Sequence, residues 1–232
     1  MDILKISDVF LDFGIYLPVL TYSLMKNWIV FLSLYSGVVS AQEAKSVVVA
    51  QDTSFVRLRD WSSDFTFDMK YATPDNFLKA TVYDCAECYL REATVKALIS
   101  ANQALLKKGY RIKIFDCYRP LIIQKKMWAI VPNPKYVADP AKGSIHNRGG
   151  AVDITLVDAS GNELDMGTAF DHFGPEAAHG YKGISKKIRK NRAMLRKIME
   201  QNGFRAFESE WWHYNLDGAA KFPLADFVWT CP

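Results

Sequence analysis

Four residues carry the types and spacing of a hydrolytic centre: His146 and Asp153 in "SIHNRGGAVDITL", and Glu210 and His213 in "ESEWWHYNL". Two imidazoles and a carboxylate, His146, Asp153 and His213, form the three-ligand set that holds a catalytic zinc and leaves one position open for water. Zinc lowers the pKa of a bound water from about 16 to about 7, so a modest carboxylate can complete its deprotonation. Glu210 is the candidate base, taking that proton and passing it to the leaving amine. Attack on an amide carbonyl builds negative charge on oxygen, and Arg119 in "FDCYRP" is the candidate donor that answers it; losing such a donor costs about 3 kcal/mol in the barrier. Each residue alone has a plainer reading. His146 fits a turn before a half-buried strand, His213 a core histidine on a backbone carbonyl, and Arg119 a helix cap or a surface ion pair. Only the set points to hydrolysis.

The elements must bring these side chains together. Gly149 and Gly150 let the backbone bend tightly, so that His146 on a turn and Asp153 on the next strand converge. Side chains alternate along a strand, which sends Glu210 and His213 to opposite faces. Both reach one ion only if the Glu210 end leaves regular strand geometry, at a bulge or a strand start. "AVDITLVD" reads as a strand, "ASGNEL" as a hairpin-type turn, and "FRAFESEWWHYNL" as a further strand region. In "LREATVKALISANQALLKKGY", Leu90, Val95, Leu98, Leu105 and Leu106 recur at helical spacing and Gly109 closes the helix. "FTFDMKYATPDNF" reads as a short strand entering a turn. "RIKIFDCYRP" alternates as a strand and breaks at Pro120, where a helix over "LIIQKKMWAI" can start. The basic stretch "YKGISKKIRKNRAMLRK" reads as a helix capped by Ser185, with Ile188, Leu195 and Ile198 inward and its lysines and arginines as a solvated face. Together these predict a single α+β domain over residues 55–232, a central antiparallel sheet with helices packed around it.

With 232 residues, half of them apolar, the chain can bury one substantial core, and its net charge of +4 is slight. No aromatic or glycine-rich pattern accompanies the basic run, which argues against nucleic acid as a partner. Residues 1–41 read as a leader whose export signal starts at Met25, with an apolar run from Trp28 to Val39 and small residues at Val39 and Ala41 that suit cleavage after Ala41. Residues 42–54 follow as a linker. A periplasmic or secreted location follows, with membrane contact only through an uncleaved leader acting as an anchor. Cys85, Cys88, Cys117 and Cys231 suit an exported protein and allow three two-bridge pairings. The alternative, a zinc knuckle built on "DCAEC", lacks a second ligand pair at structural-zinc spacing. His172 and His179 have no partner at ligand spacing and read as structural or solvated. Trp211 and Trp212 read as one core residue and one pocket wall.

"SIHNRGGAVDITL" together with "EWWHY" resembles the zinc-dependent D-alanyl-D-alanine dipeptidases of the VanX type, relatives of the D-Ala-D-Ala carboxypeptidases and the hedgehog zinc fold. "DMKYATPDNF", "FDCYRP" and "MGTAFDHF" extend the resemblance over residues 65–215. It implies one Zn2+ per chain on His146, Asp153 and His213, Glu210 as base, Arg119 at the oxyanion, Tyr71 and Asp171 around the free amino group of the substrate, and Ser144 near its carboxylate. The small substrate implied is a D,D-dipeptide, D-Ala-D-Ala, hydrolysed in cell-wall precursor turnover. The rival functions are a D,D-carboxypeptidase or endopeptidase acting on peptidoglycan stems, and a catalytically silent zinc-binding module. The four cysteines stand outside the family pattern.

Overall fold

A computed structural model describes residues 54–134 and 136–231; the expected leader and nearly all of the linker lie outside them. Strand β1 (Phe55–Arg57) runs antiparallel to β3 (Tyr89–Arg91), forming a two-stranded sheet, with the single-turn helix α1 (Leu58–Trp61) directly after β1. The main sheet has five strands in the order β2 (Thr66–Phe67), β4 (Tyr110–Asp116), β5 (Ala151–Asp158), β7 (Glu210–Leu216) and β6 (Phe204–Phe207). It is antiparallel as expected except at its edge, where β2 pairs parallel to β4.

The plainer reading of this stretch made β5 a half-buried strand, yet every residue from Ala151 to Val157 is buried. The reason is its central place: it is flanked by β4 and β7 and covered on both faces. After "AVDITLVD" the chain turns over Asp158–Asn162, with Asp158 accepting from the amides of Ser160 and Asn162. That turn returns only as far as a single bridge between Val157 and Glu163, so no full hairpin follows.

Helix α2 (Glu92–Leu106) buries Val95, Leu98, Ala101 and Leu105 at the expected spacing. Leu90 was expected within this helix but belongs to β3, because the chain first pairs with β1 and turns helical only at Glu92. Gly109 adopts φ +80 beyond the helix end, a conformation glycine reaches without steric cost. Helix α3 (Leu121–Ile130) follows Pro120 directly. Helix α4 (Lys186–Gln201) is capped as expected: the Ser185 side chain accepts from the Ile188 amide at 3.2 Å. Its lysines and Arg189 are exposed and Arg196 is half-buried, whereas Arg192 is buried and donates to the carbonyls of Met166 (2.7 Å), Glu176 (2.9 Å) and Ala178 (3.0 Å). An exposed face was the wrong place for it, since helical phase puts residue 192 beside Leu195 and Met199 on the packed side.

The cysteines form two bridges, Cys85–Cys231 and Cys88–Cys117, which selects one of the three pairings and leaves none for a zinc knuckle.

Candidate active site

The site is built on one row that crosses three strands. Asp116 of β4 stands opposite Asp153 of β5, and Asp153 stands opposite His213 of β7. A register shift between Ile114 and Asp116 kinks the end of β4 and turns Asp116 inward, the kind of bulge that re-aims a side chain beside a functional site. His146 approaches from a 3-10 turn, His146–Arg148, closed by Gly149 at φ +70. Gly149 is required twice, by its backbone conformation and because a Cβ there would overlap the Phe55 ring.

His146, Asp153 and His213 offer ligand atoms that all lie within 4.8 Å of one another. His146 Nε2 is 3.3 Å from Asp153 Oδ2, His213 Nδ1 is 3.0 Å from Asp153 Oδ1, and the two ring nitrogens are 3.2 Å apart. The outward nitrogens fix the protonation of the inward ones. His146 Nδ1 lies 2.6 Å from the Cys117 carbonyl and His213 Nε2 lies 2.9 Å from Asn215 Oδ1, two oxygens that can only accept. Each ring therefore donates outward and turns a lone pair inward. Three acceptors then face one another beside no donor among the described residues, an arrangement that a divalent cation resolves and that neutral packing does not. The donor set fits a metal.

Glu210 is the first residue of β7, and the β6–β7 pairing shifts register between Ala206 and Phe207. Either departure from regular geometry would have met the requirement, and both the strand start and the register shift are present. Glu210 Oε2 sits 4.0 Å from His213 Nδ1, and burial pushes its carboxyl above the ordinary value.

Arg119 is neither a helix cap nor a surface pair. Its Nε and Nη2 donate to Asp116 Oδ2 at 3.2 and 2.7 Å, its Nη1 donates to Gln124 Oε1 at 3.0 Å, and its guanidinium lies 5.2 Å from the centre of the Tyr71 ring. Burial works against its charge, yet Asp116 overcomes that and keeps it above its ordinary value. One N–H on each terminal nitrogen is left over from these three bonds, and the group lines the cleft.

The Tyr71 hydroxyl donates to Asp171 at 3.1 and 3.3 Å. Asp171 occupies φ +59, unusual outside glycine and costing about 1 kcal/mol or more, so the surrounding packing must hold it there. Burial, with the Asp153 charge behind it, pushes the Asp171 carboxyl well above its ordinary value. Such a group favours a cationic neighbour. Ser144 lies across the cleft, its hydroxyl donating to Asn147 Oδ1 at 3.0 Å. Tyr71, Arg119, Ser144, His146, Asp153, Asp171, Glu210 and His213 thus all border one cleft of about 240 Å³.

Four supporting residues were not singled out from the sequence. Asp116 anchors Arg119 and accepts from the Tyr83 hydroxyl at 2.7 Å; its place three residues before Arg119 was a usable signal. Gln124 holds Arg119 from α3. Asn147, fully buried, donates to the Arg119 carbonyl at 2.7 Å and so joins the His146 turn to the arginine. Asn215, two residues after His213, orients that ring. Of the remaining expectations, Trp212 lines the cleft while Trp211 Nε1 bonds Thr168 Oγ1, and neither His172 nor His179 joins the ligand set.

A family model described as Peptidase_M15, D-ala-D-ala dipeptidase, matches residues 51–229. The D-alanyl-D-alanine dipeptidase of Escherichia coli (strain K12) is 36% identical over 184 residues, covering 79% of this chain and 95% of that protein. That of Enterococcus faecalis (strain ATCC 700802 / V583) is 32% identical over 186 residues, covering 71% and 92%. Among solved structures, the vancomycin resistance D,D-pentapeptidase VanY in complex with Zn(II) superposes with a TM-score of 0.37 at 17% identity, covering 57% of this chain and 75% of that one.

Proposed function

The chain belongs to the D-Ala-D-Ala dipeptidase family of M15 peptidases, and from that premise we propose that it hydrolyses the free dipeptide D-Ala-D-Ala with one Zn2+ held by His146, Asp153 and His213. The observation that carries the reading is the convergence of three acceptors, each imidazole oriented by an outward hydrogen bond, with a half-buried carboxylate beside them. When bound, zinc supplies Lewis acidity toward water and the amide carbonyl.

The residues of the chain do the rest. Glu210 accepts the proton of the attacking water and returns it to the departing amine. Arg119, locked by Asp116 and Gln124, presents its guanidinium to the carbonyl oxygen as charge grows there, with no reorganisation at the moment of reaction. Asp171, held by Tyr71, takes the α-ammonium of the dipeptide, the cation that its burial calls for. Ser144 stands near the α-carboxylate. Export to the periplasm or beyond, after removal of the leader, is supported by two disulfide bridges and suits a role in turnover of cell-wall precursors.

Purified mature protein is to be incubated with D-Ala-D-Ala, L-Ala-L-Ala and a D-Ala-D-Ala-terminated pentapeptide, with and without a chelator. The expected result is chelator-sensitive cleavage of the D,D-dipeptide alone. Preferential cleavage of the pentapeptide would transfer the reading to a carboxypeptidase, and metal binding without turnover would leave a silent module.

A further inference from the structure

The stretch from Asp116 to Arg119 serves the cleft at several points. Asp116 clamps the Arg119 guanidinium, and the Cys117 carbonyl accepts from His146 Nδ1 at 2.6 Å. The Arg119 backbone is bonded in both directions to the His146 turn, its amide donating to the His146 carbonyl at 3.2 Å and its carbonyl accepting from the Asn147 side chain at 2.7 Å. Cys117 to Pro120 nevertheless lie between elements. β4 ends at Asp116 after its register shift, and α3 starts at Leu121.

Their lateral support comes from β3. Cys117, fully buried, is joined covalently to Cys88, the fully buried residue before that strand, and the next amide, that of Tyr118, donates to the Tyr89 carbonyl at 2.9 Å. Cys88 is itself anchored, its carbonyl accepting from the Leu58 amide at 2.9 Å. One covalent bond thus ties the residue whose carbonyl orients His146 to the two-stranded β1–β3 sheet. An outer partner that sets the direction of a ligand imidazole is worth about 10–100-fold in metal affinity. A carbonyl can do this only where its peptide is held in place.

We propose that the Cys88–Cys117 bridge is a positioning element of the metal site: it holds the Cys117 carbonyl against His146 and steadies Arg119 beside the cleft, so that zinc is bound tightly only once the bridge has formed. The proposal rests on the zinc site of the proposed function. It couples metal loading to oxidation of the chain and gives the two bridges unequal duties, since Cys85–Cys231 fastens the end of the chain.

Zinc affinity, read by competition against a chromophoric chelator, tests this independently of turnover. Cys88→Ala/Cys117→Ala should raise the zinc dissociation constant by about tenfold or more. Cys85→Ala/Cys231→Ala opens a longer loop and should lower the thermal midpoint at least as far, yet hold zinc within about twofold of wild type. Cys88→Val/Cys117→Ala refills the volume of the sulfurs without the bond, and should recover thermal stability over the alanine pair but not zinc affinity. Wild-type affinity in the alanine pair, recovery of affinity in the valine variant, or an equal loss in Cys85→Ala/Cys231→Ala would each overturn the proposal. Failure of both Cys88–Cys117 variants to fold overturns it as well, because the bridge is then a general staple. A wild-type enzyme that binds zinc and spares D-Ala-D-Ala overturns the dipeptidase reading alone, and one that binds no zinc overturns both.

Discussion

Glu210 and the three ligands differ in what their loss should do. Glu210→Gln keeps the size of the side chain and removes its basicity, so it should retain stoichiometric zinc by metal analysis while kcat falls by about 100-fold or more. A rate near wild type would remove the base assignment. Asp171 has a different signature because its partner is a charge on the substrate. Leaving its buried carboxylate against a neutral amide costs roughly 2 kcal/mol, so wild-type enzyme should disfavour N-acetyl-D-Ala-D-Ala by more than tenfold. Asp171→Ala should lower kcat/KM for the free dipeptide far more than for the acetylated one, and equal slowing of both would contradict the role. At this scale the ligands and base were legible because metal chemistry restricts residue type. Their supports were not: Asn147 acts on the Arg119 backbone carbonyl, Gln124 on its guanidinium and Asn215 on a ring nitrogen of His213, and amide side chains of these types carry no metal-ligand or base signature in a sequence.

Strand and helix positions carried the next layer of information. Alternation along "EWWHY" required a break in β7 at Glu210, and the strand does begin there, opposite a register shift in β6. The same reasoning could not find the kink at Asp116, because a bulge depends on the partner strand and not on local pattern. Nor did composition separate Arg192 from the basic residues around it. Its three short bonds to carbonyls between Met166 and Ala178 tie α4 to the segment that carries Asp171. Arg192→Leu should therefore destabilise the fold by roughly 3 kcal/mol in urea unfolding, the cost of stranding charge-assisted acceptors. KM for the dipeptide should rise in the same variant; unaltered stability and KM would show that the tie is dispensable.

The α+β class, the single core and the export-type cysteines were legible in the whole chain, whereas the bridge pairing and the parallel edge strand depended on contacts too distant in sequence to infer. Stability of the whole molecule should also depend on pH through His179. Burial, reinforced by Arg196, lowers its pKa from 6.5 to about 4, and its Nε2 finds no partner among the described residues. Between those values the unfolded chain binds a proton that the folded one refuses, so this contribution is fully present above about pH 6.5 and is lost as pH falls toward 4. Partial exposure limits the loss to about 2 kcal/mol. Urea midpoints at pH 4.5 and 7 should differ less in His179→Gln than in wild type. Cys85–Cys231 has a further consequence, since its sequence separation of 146 encloses Arg119, Ser144, all three ligands, Asp171 and Glu210 within one covalent ring. A protease that makes a single cut in any loop of that ring frees no fragment. Nicked enzyme should migrate near full length on a non-reducing gel, fall into two pieces once reductant is added, and keep its catalytic residues tethered in surroundings where an open chain would be dismantled.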